Sequence, residues 1–599
     1  MPSRIEDYAM IGDVHTAALV ARDGSVDWLC LPRFDSGACF AALLGTHEHG
    51  RWMICPAGEV RRVERRYRHD TLVLETTFET DDGSVSVVDC MPPRSGYPAL
   101  VRVVVGQRGR VPMRMQLVLR FDYGSIVPWV QHNDSGLSAV AGPDTVHLQT
   151  PVRLRGEGLT SVAEFSVGEG EEVPFVLRWH PSHEEPPPDV DAREAVRFTE
   201  EWWTEWAGRC RYTGRWRDNV VRSLITLKGL TYEPTGGMVA AATASLPEWI
   251  GGERNWDYRY CWLRDATFML YSLLDAGYHG EAQAWRDWLL RAVAGKASQL
   301  NIMYGVTGER RLTEIELGWL PGYEESRPVR IGNAAHDQFQ LDVYGEVMDV
   351  VHVARRHGMP IAKHAWDLQR SLLEYLEQVW HEPDEGIWEV RGGRRHFTHS
   401  RVMAWLGVDR MIKSAEHFHL PGDVKHWRKL RQQIHDETCA KGFNEAKNSF
   451  VQFYGSKNLD ASLLMIPLVG FLPAHDPRVQ GTITAIEKEL LVDGLVLRYL
   501  PDKSVDGLHH KEGVFLPCSF WLVDNYHLQD RDRDADELYE RLLGLCNDVG
   551  LISEEYDVER KRMLGNFPQA FTHVGIVNTA KNLSSSHGPA RHRPNHVTS

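Results

Sequence analysis

A surplus of basic residues is missing from this chain: 67 lysines and arginines stand against 82 aspartates and glutamates, a formal charge of −15. A polyanion such as nucleic acid therefore meets no electrostatic footprint. Long apolar runs are missing too. No stretch reaches the roughly 18 residues that cross a bilayer, and the start, MPSRIEDYAMIGD, carries no apolar run behind a basic segment. The expectation is a soluble, unexported, cytoplasmic protein. Cysteine is sparse and odd in number, nine in 599 residues and without CxxC spacing, which disfavours a disulfide framework and a zinc ribbon. No GxxxxGK[ST], HExxH, EF-hand loop or GxSxG is present, so phosphate cradling, zincin chemistry and hydrolase-elbow acyl transfer lose their simplest support.

What is present is a globular composition, 43% hydrophobic and 25% charged, with one change of period. Between about Arg51 and Trp179, short β-rich runs are broken by turn residues. Val111, Met113, Met115, Leu117 and Leu119 alternate with polar neighbours, as strands with one buried face do. So many strands without helices predict an antiparallel β-sandwich over residues 1–190. The proline run in PSHEEPPPDVD, residues 181–191, continues neither ladder nor helix, and the boundary is placed there, with 191–215 as a linker.

Beyond it the period is near 3.6. Trp216, Val220, Val221, Leu224, Leu227 and Leu230 fall on one stripe, as do Ala282, Trp285, Trp288, Leu289, Ala292 and Val293. About twelve helices are expected, starting near residues 216, 265, 280, 334, 361, 400, 421, 459, 475, 511, 532 and 566. An even count permits a closed double ring over 216–583, leaving 584–599 as a disordered tail. The long loops 233–264, 295–333, 381–399 and 490–510 are rich in Trp, Tyr, Arg and Asp, a composition of working loops.

Three loop segments place carboxylates beside aromatics. RNWDYRYCWLRDATFML, residues 254–270, offers rings at Trp256, Tyr258, Tyr260 and Trp262 and charges at Arg254, Asp257, Arg259, Arg264 and Asp265; an Arg-Asp pair can clamp sugar hydroxyls and an indole can cover a pyranose face. The same residues also fit a helix N-cap by Asp265 with core aromatics. In PDEGIWEVRGG, residues 383–393, Trp388 can desolvate Glu389 and keep it protonated as a general acid, or Glu389 can be an ordinary surface carboxylate. In DVGLISEEYDVER, residues 548–560, Glu554 or Glu555 can serve as an ionised base, or the pair can be a solvated helix end. Together they fit inverting glycoside hydrolysis, which needs one protonated and one ionised carboxyl about 6.5–9.5 Å apart and no metal or organic cofactor.

On these segments the chain resembles glycoside hydrolase family 15, from IEDYAMIGDVHTAALVARDGSVDWLCLPRFDS at residues 5–36 to LGNFPQAFTHVGIVN at 564–578. The resemblance implies an N-terminal β-sandwich joined to an (α/α)6 barrel, and an exo-acting α-glucosidase that releases β-glucose from a non-reducing end. It implies Glu389 as general acid and Glu554 as general base, and only the alignment separates Glu554 from Glu555. It likewise implies Trp262, Arg264, Asp265, Ile387, Trp388 and Arg498 around the non-reducing glucose, with Tyr323, Arg327 and Arg330 beside the next subsite. Fungal members carry a second acidic binding residue directly after the general acid; here it is Val390, so the contact to the leaving sugar stays unassigned. The segments GLVLRY, VDGL and EGVFLPCSFWL resemble trehalase-like bacterial members and favour α,α-trehalose over maltose, isomaltose or short α-glucans. A phosphorylase would need a phosphate site in place of the base in SEEYD, and a non-catalytic carbohydrate-binding protein would bind without turnover. The partner expected is a small carbohydrate, without nucleic acid or membrane; self-association into a homo-oligomer is left open.

Overall fold

The computed structural model describes residues 2–133, 135–360, 363–501, 506–508, 511–584 and 588–592. The expected loop 490–510 lies partly outside them. Alternating strands build two antiparallel layers in the N-terminal domain, stitched together by one long strand, Ala99–Val118. Its first half pairs with Gly83–Cys90 and Glu172–Pro181, its second half with Arg51–Pro56 and Thr160–Gly168. The alternation is visible in burial: Val111, Met113, Met115 and Leu117 are inside, while Pro112 and Arg114 are exposed. The layers meet through Trp52 and Phe175, edge to face at 6.5 Å. Between them Arg102 pairs with Asp89 at 2.7 Å and gives its remaining donors to the carbonyls of Trp52 and Gly24, so the buried charge is fully bonded.

Residues 191–215, expected as a linker, carry a helix, Ala192–Ala207. Asp191 caps it by accepting from the N–H groups of Arg193 and Glu194. Its face Ala192, Ala195 and Val196 closes a small core with Val73, Val88, Cys90, Val101, Val103 and Val176 of the sandwich, so the segment is packed against the sheet.

The helical region is a double ring. Six inner segments follow one another around a closed circle: Ala266–Asp275, Asp342–Arg356, Thr398–His417, the short run Ala461–Leu464 with Met465–Leu468, Leu516–Leu528, and Ala570–Ser584, which returns to the first. They are buried on nearly all sides, as a helix with neighbours all round must be, and buried charges such as Asp349 and Arg410 pair between them. The outer segments alternate with them in sequence: Arg217–Gly229, His279–Ala292, Lys363–Val379, Val424–Gly442, Pro477–Glu489 and Asp532–Leu543. The helix start expected near 334 is displaced. Ala334–Asp337 is a single 3-10 turn, after which the Phe339 and Leu341 N–H groups donate to Glu385 and Asp384, holding the chain extended until Asp342. The tail also differs from expectation: Pro589–His592 is helical with Ala590 buried, and 585–587 and 593–599 lie outside the described residues. No helix among the described residues is long and apolar enough to cross a membrane.

Candidate active site

Three loops meet at the mouth of the ring. In the first, Cys261–Trp262 pairs with Met303–Tyr304, which fixes the Trp262 ring so that its Nε1 donates to Glu389 Oε1 at 2.7 Å. Asp265 occupies the N-cap position of helix Ala266–Asp275 but makes no capping bond. Its Oδ1 takes Arg264 Nε at 2.7 Å, and Oδ2, fully buried, has no protein partner. Arg264 Nη1 reaches to 3.5 Å from Glu389 Oε1 and 3.4 Å from the Ile387 carbonyl. A buried pair with an unfilled acceptor and an adjacent guanidinium is suited to accept from and donate to neighbouring hydroxyls.

The second loop turns at Gly386 (φ 71°), and the Glu389 N–H closes the turn onto the Gly386 carbonyl at 3.2 Å, leaving Glu389 itself left-handed at φ 58°. Trp388 is pinned by Asp460, which accepts from its Nε1 at 2.8 Å, and by Phe515 and Trp521 at 5.5 and 6.0 Å. Burial raises the Glu389 carboxyl above its ordinary range, against the pull of Arg264 and the Trp262 N–H. That is the environment of a proton donor. The carboxylate is no surface group, its side chain being 18% exposed.

The third loop enters a three-stranded ribbon, Val514–Phe515, Glu555–Asp557 and Arg562–Leu564, instead of a helix end. Glu554, just before it, is fully buried; its Oε2 accepts from the Asn566 N–H at 3.1 Å and its Oε1 is unfilled. Burial, then Glu248, push this carboxyl up to about 8, against Arg498 and the Tyr258 hydroxyl. Glu555 is engaged elsewhere, accepting from Gly513 N–H at 2.8 Å and lying 3.0 Å from Arg498 Nη2. Its carboxyl is pushed well above the usual range, again by burial and Glu248. Such neighbouring carboxyls titrate as a group.

Arg254 of the first segment completes this network with three further residues, Glu248, Asp506 and Glu512, which sequence reading did not single out. Arg498 Nη2 lies 2.9 Å from Glu248 and 2.7 Å from Glu512, while Arg254 reaches Asp506 at 2.7 Å and Glu512 at 3.2 Å. Glu248 and Arg498 are 250 positions apart, so no spacing rule could pair them. Oxygens of Glu248, Glu554 and Glu555 approach within 4.8 Å of one another, the described residues best placed to share a cation; the Arg498 guanidinium already supplies positive charge there.

Of the residues named from sequence, Arg264, Trp388, Glu389 and Arg498 line one cavity, together with Trp256, Tyr258, Asn333, Val390 and Arg391. Trp262, Asp265 and Ile387 stand directly behind it through the bonds above, and Glu554 joins it through Tyr258 and Arg498. Arg330 touches it by way of the Trp256 ring, 4.7 Å away. Tyr323 and Arg327 do not reach it. The Tyr323 hydroxyl donates to the Ser3 carbonyl and accepts from Arg562, and Arg327 is exposed with its Nε on the Pro321 carbonyl.

Residues 214–581 match Glycosyl hydrolases family 15, and residues 1–202 match a family described as Trehalase-like, N-terminal. The chain is 38% identical to the trehalase of Mycolicibacterium smegmatis, over 96% of this chain and 90% of that one. With the trehalase of Thermoplasma volcanium it shares 34% identity over 97% and 94%. A bacterial glucoamylase complexed with acarbose superimposes with a TM-score of 0.72 at 13% identity, covering 97% and 94% of the two chains, a likeness of fold. A sandwich followed by a double helical ring, with this cluster of carboxyls at its mouth and the family match running along the whole ring, makes the chain a member of glycoside hydrolase family 15.

Proposed function

We propose that the chain is a trehalase, hydrolysing α,α-trehalose with inversion, with Glu389 as general acid and Glu554 as general base. The observation that carries the chemistry is the contrast between the two carboxyls. Glu389 is held by one indole N–H beside a guanidinium, in a lining position suited to give a proton. Glu554 keeps one unfilled oxygen and leans on a backbone N–H, suited to orient and deprotonate a water. Support for trehalose comes from proteins named trehalase that match this chain nearly end to end.

One glucose sits in the cavity against Trp388 with its hydroxyls on Arg264 and Arg498, while Trp262 and Asp265 brace Glu389 and Arg264 from behind. As the C1–O bond breaks, the Glu389 proton passes to the leaving oxygen. The water oxygen bonds to C1 from the opposite face, and its proton passes to Glu554. The attacked half leaves as β-glucose and the other half as α-glucose. No step calls for a cofactor. Nine free cysteines, several of them buried, support a reducing, cytoplasmic address.

The test is turnover of α,α-trehalose by the wild type and by Glu389→Gln and Glu554→Gln. Each substitution is expected to lower kcat by about 10² to 10⁴, the usual contribution of a general acid or base. Near-wild-type turnover in either would sink that residue's role.

A further inference from the structure

Val390 is buried and apolar at the position following the general acid, so the sugar that leaves must be recognised by other groups. One wall of the cavity offers an assembly that hydrolysis of the first glucose does not use. The Trp256 ring has Arg391 at 4.2 Å and Arg330 at 4.7 Å from its centroid, a guanidinium–indole stack. Glu314 ties the stack together, accepting from Arg391 at 2.9 and 3.3 Å and lying 3.6 Å from Arg330. Arg330 is further anchored on the Glu253 carbonyl at 2.7 Å. The backbone is fixed as well, since Asn566 Nδ2 donates to the Trp256 carbonyl at 2.9 Å while the Asn566 N–H holds Glu554.

This is more construction than a half-buried tryptophan needs. Two guanidiniums stack on the Trp256 ring, and its indole N–H donates to no protein group among the described residues. Trp262 and Trp388, by contrast, spend theirs on Glu389 and Asp460. Trp256, Val390 and Arg391 line the same cavity as Glu389.

Resting on the trehalase reading, we propose that Trp256, clamped by Arg330 and Arg391, is the specificity contact for the leaving glucose, its indole N–H donating to a hydroxyl of that sugar. The ligand class is the second hexopyranose of a non-reducing α-linked disaccharide. Trp256 takes no part in proton transfer; it sets how the leaving half is held while Glu389 protonates the bridging oxygen.

The test compares kcat/KM on α,α-trehalose with kcat/KM on α-glucosyl fluoride, which has the same glucose to attack but no leaving sugar. Trp256→Phe keeps a ring against the guanidiniums and removes the N–H. It should lower efficiency on trehalose about five- to tenfold, the loss of one hydrogen bond, and on the fluoride less than about twofold. Trp256→His, which restores a ring N–H, should recover part of the loss on trehalose, a rescue that a purely structural role would not produce. Equal falls on both substrates, or an unchanged trehalose efficiency in Trp256→Phe, overturns the assignment. If the wild type hydrolyses the fluoride but not trehalose, the trehalase reading is what fails, and the same comparison on maltose then decides the role of Trp256.

Discussion

Glu389 holds a left-handed backbone that disfavours a side-chain-bearing residue by about 1–2 kcal/mol. The turn from Gly386, the Gln338 amide on the Glu389 carbonyl at 3.1 Å and the Trp262 N–H on its carboxyl together impose it. The arrangement delivers a desolvated carboxyl into the cavity beside an arginine. Opposite it, the charge on Glu248 is the largest cause after burial that keeps Glu554 protonated. A base works only when ionised, so activity is lost as pH falls through its pKa. Glu248→Gln removes a negative neighbour, lowers that pKa and should move the acidic limb of the kcat/KM profile to lower pH. A limb that stays in place, or moves up, would contradict the coupling. The WLRD segment and Glu389 stood out because each sits in a contiguous motif, whereas Glu554 was set apart from Glu555 by the resemblance alone. Glu248, Asp506 and Glu512 were not legible, because each is defined by a partner on a distant loop, and a lone acidic residue carries no mark of who it will face; Arg254 and Trp256 stood in the first aromatic segment, but without their partners.

Helix Asp342–Arg356 carries the strongest electrostatic load of the ring. Both oxygens of Asp342 lack a hydrogen bond, and burial, then Asp384 and Glu346, push its carboxyl up to about 8 from the ordinary 3.8. The folded chain therefore keeps a proton that the unfolded chain releases. Stability from this group is full below about pH 4 and is lost as pH rises toward 8. Asp342→Asn resembles the protonated form, and by calorimetry it should match the wild type at pH 4.5. At pH 8.5 it should exceed it by up to about 5 kcal/mol, at about 1.4 kcal/mol per pKa unit. A difference that does not vary with pH would refute the burial argument. At this scale the period of the sequence was informative for outer helices of the ring such as His279–Ala292, which bury one stripe, while the inner ones are buried nearly all round. It was masked at Ala192–Ala207, where the preceding prolines drew attention from the stripe Ala195, Thr199, Trp203 and Trp206 and from the Asp191 cap. It also misplaced the start at Asp342, because side-chain acceptors at Asp384 and Glu385, not local propensity, hold residues 339–341 extended.

The two domains are joined where the catalytic loops need support. Trp28 of the sandwich donates to the Ala242 carbonyl at 2.8 Å, and Arg259, paired with Asp257, donates to the Ser36 and Phe34 carbonyls at 2.9 and 3.3 Å. Arg65 grips Asp548 at 2.7 Å, a few residues before Glu554. The sandwich lends no residue to the cavity wall among the described residues, yet it backs the loops that carry Trp256, Tyr258, Trp262 and Glu554. The proposed reaction is one displacement in which a water and a leaving sugar occupy opposite faces of the same glucose, and the sandwich braces the loops around it. Proton NMR of the first turnovers on α,α-trehalose tests this most directly. Inversion with Glu389 and Glu554 predicts β- and α-glucose appearing in equal initial amounts, before mutarotation mixes them; α-glucose alone at the earliest times would mean retention and would contradict the account.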